Sequence, residues 1–219
     1  MKIIPFEGGK DRNLSYIILN KKTKEALVVD PFKNIEIYIK KAEELRIKIV
    51  GVINTHLHID HIEGNEHLKK IGYKVIKLNG KNKINLGDKI IKIIKTPGHS
   101  KDCRCFLING NLLTGDVLLA KRVGMAFKEK DTPILYESLK KLKKLPKNTI
   151  IWPGHYYNSP YPFTLKEELK RNPYLNSKTY NEFKELMNYW REYMRIKREK
   201  IKYKNQLTNN NHKNRLKKG

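Results

Sequence analysis

Apolar and polar positions alternate along this chain in short bursts. Runs of period two and nearly continuous β-branched runs predict strands at Lys2–Phe6, Ser15–Leu19, Ala26–Val29, Ile49–Asn54 and Lys74–Lys77. A second group follows at Ile84–Leu86, Lys89–Lys95, Cys103–Ile108, Asn111–Thr114 and Thr149–Trp152. Between them, spacing near 3.6 predicts helices at Asn34–Leu45, Gly64–Ile71, Pro133–Lys144, Thr164–Lys170 and Thr179–Lys202. Periodicity alone therefore gives an α/β chain, and two face-to-face sheets covered by helices on both outer sides would bury both faces of such strands.

The polar residues that interrupt the pattern gather at strand ends. The stretch Thr55-His56-Leu57-His58-Ile59-Asp60-His61 holds three imidazoles and a carboxylate where an apolar run gives way to helical spacing. Imidazole and carboxylate are the ligands that first-row divalent metals take when no thiolate is offered. His56 and His58 are two apart, so an extended backbone sends both to one face. Asp60 and His61 fall beyond the strand end, where a turn re-aims them. A polar loop with incidental histidines needs no such ligand density.

Three more apolar runs end in turns with a similar residue: Thr96-Pro97-Gly98-His99, Thr114-Gly115-Asp116 and Pro153-Gly154-His155. Glycine permits the sharp turn and proline fixes the entry to it. Any one of these histidines alone reads as an ordinary surface or core residue. Four strand ends offering five His and two Asp read as a metal centre.

The order THxHxDH, TPGHS, TGD, PGH resembles the metallo-β-lactamase superfamily, and within it the glyoxalase II (hydroxyacylglutathione hydrolase) and persulfide dioxygenase branch. The likeness extends from about Asn13 to Leu175, with Val28-Val29-Asp30-Pro31 near its start and Glu168 to Leu175 at its end. The resemblance implies an αββα four-layer sandwich. It also implies one metal on His56, His58 and His99, a second on Asp60, His61 and His155, and Asp116 bridging them. Two zinc ions are the implied cofactor, with iron as the alternative, and a metal-bridged hydroxide oriented by Asp60 would cleave a thioester or related ester. Tyr157 stands where the family has a substrate-contacting tyrosine.

Departures from the pattern bear on substrate. Glyoxalase II enzymes carry a basic residue after the bridging aspartate to hold glutathione, and Met125 stands there, with Lys121, Arg122 and Lys128 as neighbouring cations in another register. Asp102 replaces a usual glycine. Both point away from glutathione and towards another thiol carrier or ester. The persulfide dioxygenases, for which the resemblance implies one iron on His56, His99 and Asp116, rank second, because their Gly-Arg-Thr-Asp stretch is replaced by Gly124-Met125-Ala126-Phe127. An RNA-processing metallonuclease ranks third, since no insertion is long enough for a substrate-binding arm. A non-catalytic metal-binding protein ranks last, with every ligand position intact.

Composition narrows the remainder. At 219 residues one well-buried domain can gather the ligands. No apolar run is long enough to span a bilayer and Met1 to Lys10 lacks a signal-peptide core, which makes a cytoplasmic protein the expectation. Cys103 and Cys105 are the two cysteines and read as reduced structural thiols. The net charge is +25, and Arg191–Gly219 carries eleven Lys/Arg against two Glu. The chain is thus expected to divide into a domain at 1–175 and a basic helical extension at 176–219, disordered from about Asn209. The extension would either offer a weak contact to polyanions such as nucleic acid or be a solvated basic tail with no specific partner, and its part from Arg191 onward would add nothing to the site.

Overall fold

A computed structural model describes residues 1–9, 11–157 and 159–216, with side chains to Lys202. The first sheet has the order β1 (Lys2–Gly8), β2 (Asn13–Leu19), β3 (Glu25–Val29), β4 (Lys48–Ile53). Its pairs are antiparallel except β3 with β4, which are parallel and joined by helix α1 (Glu36–Leu45). The short helices α2 (Ile59–Ile62) and α3 (Asn65–Lys70) follow β4. The second sheet comprises β5 (Lys83–Leu86), β6 (Lys89–Lys95), β7 (Arg104–Ile108), β8 (Asn111–Gly115), β11 (Ile150–Pro153) and β12 (Phe163–Thr164). A small ribbon of β9 (Leu118–Leu119) and β10 (Arg122–Val123) follows β8. Helices α4 (Thr132–Lys143), α5 (Leu165–Arg171), α6 (Pro173–Asn176) and α7 (Tyr180–Leu216) complete the chain.

Strand alternation sorts the apolar side chains into three cores. On β2, Leu14, Tyr16 and Ile18 point between the sheets, where they meet Ile91, Ile93, Phe106 and Leu113. The intervening Ile17 and Leu19 point outward, into a layer that includes Tyr38 of α1 and Leu68 of α3. On the far face of the second sheet, Cys105, Leu112 and Ile151 pack with Leu135, Leu139, Leu165, Phe183 and Met187 from α4, α5 and α7. The result is the metallo-β-lactamase fold, four layers in the order αββα, with strands buried on both faces as their unbroken apolar runs require.

Three features depart from the pattern-based reading. Lys74–Lys77 forms no strand; it meets β4 through a single bridge, Val52 to Val75, because lysine alternation there leaves little apolar surface to bury. The ribbon β9–β10, β12 and the short α2 and α6 lie below the length at which periodicity is readable. Helix α7 continues to Leu216 past the point expected to be disordered. Its residues include no glycine or proline, and extending a helix already nucleated by packing is far cheaper than starting one. No helix among the described residues is long and apolar enough to cross a membrane.

Candidate metal centre

The two sheets are stitched together at one end, and there the ligand-bearing turns meet. Arg104 N–H donates to the Thr55 carbonyl at 2.9 Å and Leu14 N–H to Gly154 O at 2.7 Å, while within the second sheet Gly154 N–H donates to Gly115 O at 2.8 Å. On the first sheet's side, the turn after β4 supplies His56 and His58, and the short helix α2 that follows it supplies Asp60 and His61. The turns after β6, β8 and β11 supply His99, Asp116 and His155 from the second. Two glycines make this closeness possible. Gly98 has φ +134° and lies against the backbone of Leu135, while a Cβ on Gly154 would come within 2.3 Å of Asp116 Oδ1.

The structure brings all seven residues into one cluster. His56, His58 and His99 form one compact group, Asp60, His61 and His155 another, and Asp116 joins His56 and His61 in a third. His58 Nδ1 lies 3.1 Å from His56 Nε2 and 3.0 Å from His99 Nε2. His61 Nε2 lies 3.3 Å from His155 Nε2. Asp116 Oδ2 stands 3.5 Å from His99 Nε2 and 3.4 Å from His155 Nε2, so it faces both groups.

Which nitrogen of each ring is a ligand follows from what the other nitrogen does. His99 Nδ1 donates to the Met125 carbonyl at 3.0 Å, and His155 Nδ1 to the Asp11 carbonyl at 2.9 Å, since a carbonyl can only accept. Thr55 Oγ1 spends its proton on Asp30 Oδ2 at 2.6 Å and so accepts from His56 Nδ1 at 3.1 Å. His61 Nδ1 faces the same Asp30 carboxylate at 3.3 Å. In four rings Nδ1 is thus occupied and Nε2 is the atom turned inward, while His58 turns Nδ1 inward. Lone pairs aimed at one another about 3 Å apart repel unless a cation lies among them.

The carboxylates complete this arrangement. Burial would raise the pKa of Asp116, but His61 and His155 outweigh it and hold the carboxyl well below the usual range. Asp60 behaves alike: burial is outweighed by His155, His61 and a 2.9 Å hydrogen bond from Asn13 Nδ2. For His155, burial pushes the pKa down, yet Asp116 and Asp60 carry it up to about 10. His56 goes the other way, lowered by burial and by the neighbouring His61. Asp116 Oδ1 is buried with no hydrogen-bond partner. Anionic carboxylates, inward lone pairs and an orphaned buried oxygen together fit divalent cations.

Tyr157 stacks on the His155 ring, centroids 4.9 Å apart and planes within 6°, and the Arg122 guanidinium lies over it at 5.2 Å. Burial and the nearby Asp116 carboxylate raise the Tyr157 pKa, so its hydroxyl keeps its proton. Phe127, half exposed, packs its edge near the rings of His58 and His99. Two supporting residues were not singled out in the sequence: Asp30 lies inside the matched stretch and Arg191 beyond its end. Asp30 is buried and accepts from Thr55 N as well as from Thr55 Oγ1. Arg191 donates to the Ala126 carbonyl and to Thr132 Oγ1, each at 2.9 Å, in the segment whose Met125 carbonyl orients His99. Cys103 and Cys105 are buried free thiols that join none of the ligand groups among the described residues.

An αββα sandwich with two groups of metal-type residues at the joined sheet ends defines the metallo-β-lactamase class of fold. Residues 8–89 match the Metallo-beta-lactamase superfamily. A hydroxyacylglutathione hydrolase of Pelagibacter ubique (strain HTCC1062) is 33% identical over 223 residues, covering 80% of this chain and 92% of that protein. The mitochondrial persulfide dioxygenase ETHE1 of Mus musculus is 31% identical, covering 76% and 72%. The crystal structure of ETHE1 from Myxococcus xanthus superposes with a TM-score of 0.77 at 26% identity, covering 86% of this chain and 90% of that one. The chain belongs to the metallo-beta-lactamase superfamily, in the branch that holds both hydroxyacylglutathione hydrolases and persulfide dioxygenases.

Proposed function

We propose that this protein is a metal-dependent thioesterase that takes two zinc ions, one that His56, His58 and His99 would hold and one that Asp60, His61 and His155 would hold, with Asp116 available to both. The observation that carries this reading is the position of Asp116 Oδ2, within 3.5 Å of a ring nitrogen from each set. Such an ion pair supplies Lewis acidity and makes water acidic enough to attack near neutral pH.

The chain's own groups do the rest. Asp60 is the most open of the clustered carboxylates, and its ionised side chain, fixed by Asn13, orients the attacking water. The water oxygen bonds to the thioester carbon and the carbon–sulfur bond breaks. The departing thiolate takes one water proton, giving a carboxylic acid and a free thiol. Tyr157, protonated at neutral pH, donates a hydrogen bond to the substrate from its place against His155. Phe127 offers an apolar wall beside the first ligand set.

The competing reading is oxidation of a persulfide by a single iron on His56, His99 and Asp116, and the likeness to the Myxococcus protein favours it. Metal analysis of protein purified without added metal, paired with an anaerobic assay on S-acyl thiols, separates the two. Two zinc ions per chain and hydrolysis without oxygen are expected. Asp116→Ala should lose most of both. One iron per chain, persulfide-dependent oxygen consumption and no anaerobic hydrolysis would transfer the assignment to the dioxygenase.

A further inference from the structure

Near the His/Asp cluster lies a cavity of about 330 Å³, lined by Lys121, Arg122, Tyr174, Tyr189, Trp190 and Tyr193. Its composition is unusual for a surface depression: two cations face four aromatic rings. Tyr189 and Tyr193, one turn apart on α7, are 76% and 53% exposed. Trp190 is fixed behind them, partly buried in the core beneath α7 and 5.9 Å from the Tyr174 ring.

The cations are held in place by their backbone. Lys121 has a left-handed φ of +60°, and its N–H donates to Oε2 of the fully buried Glu168 at 2.8 Å. Asn172 Nδ2, also buried, donates to the Arg122 carbonyl at 3.0 Å and to the same Glu168 oxygen at 2.9 Å. A buried carboxylate and a buried amide thus clamp the β9–β10 turn from beneath, while its two cationic side chains face outward. Neither makes an ion pair among the described residues. The Arg122 guanidinium lies over Tyr157, which stacks on His155, so two ring contacts link the pocket to the metal cluster.

We propose that this pocket binds the nucleotide portion of the leaving thiol, with a purine among Tyr189, Trp190 and Tyr193 and phosphate on Lys121 and Arg122. The thioester then reaches the cluster past Tyr157. The inference rests on the thioesterase reading and adds its carrier. A peptide thiol with carboxylates would use the two cations but leave the aromatic wall idle, and an acyl chain would do the reverse. A nucleotide uses both, since a base stacks on aromatic faces and phosphate pairs with Lys and Arg. The volume falls within the range of small-molecule sites, roughly 300–1,000 Å³.

The test is titration of the full-length protein with adenosine 3′,5′-bisphosphate, followed by calorimetry and by tryptophan fluorescence, beside inorganic phosphate and a single-stranded oligoribonucleotide. Saturable binding that quenches Trp190, weakened about tenfold by Lys121→Gln and by Tyr193→Ala, is expected. Both side chains are exposed, so thermal melts should show the variants folded. In Lys121→Gln, the ratio of kcat/KM for an S-acyl coenzyme A to that for the same acyl group on N-acetylcysteamine should fall about tenfold. No saturable binding of the bisphosphate up to millimolar concentration overturns the proposal, even if thioesters are hydrolysed. Phosphate binding as tightly as the bisphosphate overturns it in favour of a plain anion site. An oligoribonucleotide that the bisphosphate fails to displace overturns it in favour of RNA. Nucleotide binding without thioester hydrolysis keeps the pocket and overturns the thioesterase reading instead.

Discussion

At the scale of single residues, the centre depends on groups that touch no metal. Asp30 holds the Nδ1 side of His61 directly and that of His56 through Thr55 Oγ1. Asp30→Ala should free both rings and leave Thr55 N–H buried without a partner. Loss of such an outer partner typically costs about 10–100-fold in metal affinity, which competition with a chromophoric chelator would measure. Retention equal to the parent would show that the rings are fixed by packing alone. The two thiols give a pH prediction. Burial pushes Cys103 and Cys105 up to about 12 from an ordinary value of 9.0. Their folded pKa lies above the unfolded one, so the stability tied to the neutral thiols is complete below about pH 9 and is lost as pH climbs towards 12. Iodoacetamide should therefore label neither thiol at pH 8 unless denaturant is added; rapid native labelling would refute their burial.

At the scale of elements, the strands were readable because their apolar runs are long and β-branched, and the ligand turns because Gly and Pro punctuate them. The contacts that orient the ligands were not. Asn13 and Asp60 are 47 positions apart, and Arg191 and Ala126 are 65 apart, and neither pair carries a local pattern. Helix α7 shows the consequence. Phe183 and Met187 are fully buried in the core beneath the second sheet, as their helical spacing suggests, but the basic run that read as an appendage from Arg191 onward begins with a residue that braces the segment orienting His99. Phe183→Ala should cost about 3–5 kcal/mol, the usual range for emptying a buried aromatic site, read as a shift in the urea midpoint. A cut placed before Arg191 should impair turnover, whereas a cut after Lys202 should leave it close to the parent. Equal loss at both cuts would mean that the last part of α7 also serves the site.

At the scale of the whole molecule, the proposed ligand set would be a cross-link as well as a reaction centre. His56, His58, Asp60 and His61 lie on the first sheet's side, and His99, Asp116 and His155 on the second's. Ions held by all seven would therefore tie the two halves of the sandwich at the end where backbone hydrogen bonds already join them. The chain's net charge of +25 opposes compaction by self-repulsion, so any tie matters more here than in a balanced protein. Without ions Asp116 Oδ1 is buried with no partner and the inward ring nitrogens crowd within about 3 Å of one another, relieved only where a proton takes the place of a cation, as on His155. Binding at 100 times the dissociation constant stabilises a fold by about 2.7 kcal/mol. For a chain of this size that corresponds to a Tm roughly 5–10 °C higher. Stripping the metal with a strong chelator, verified by elemental analysis, should lower Tm by about that amount, and zinc should restore it. Added monovalent salt should raise Tm in both forms by screening the basic surface, which separates the charge effect from the cross-link. A stripped protein that melts at the holo temperature at every ionic strength would show that the sheets hold together without the ions, and that the ligand cluster contributes chemistry alone.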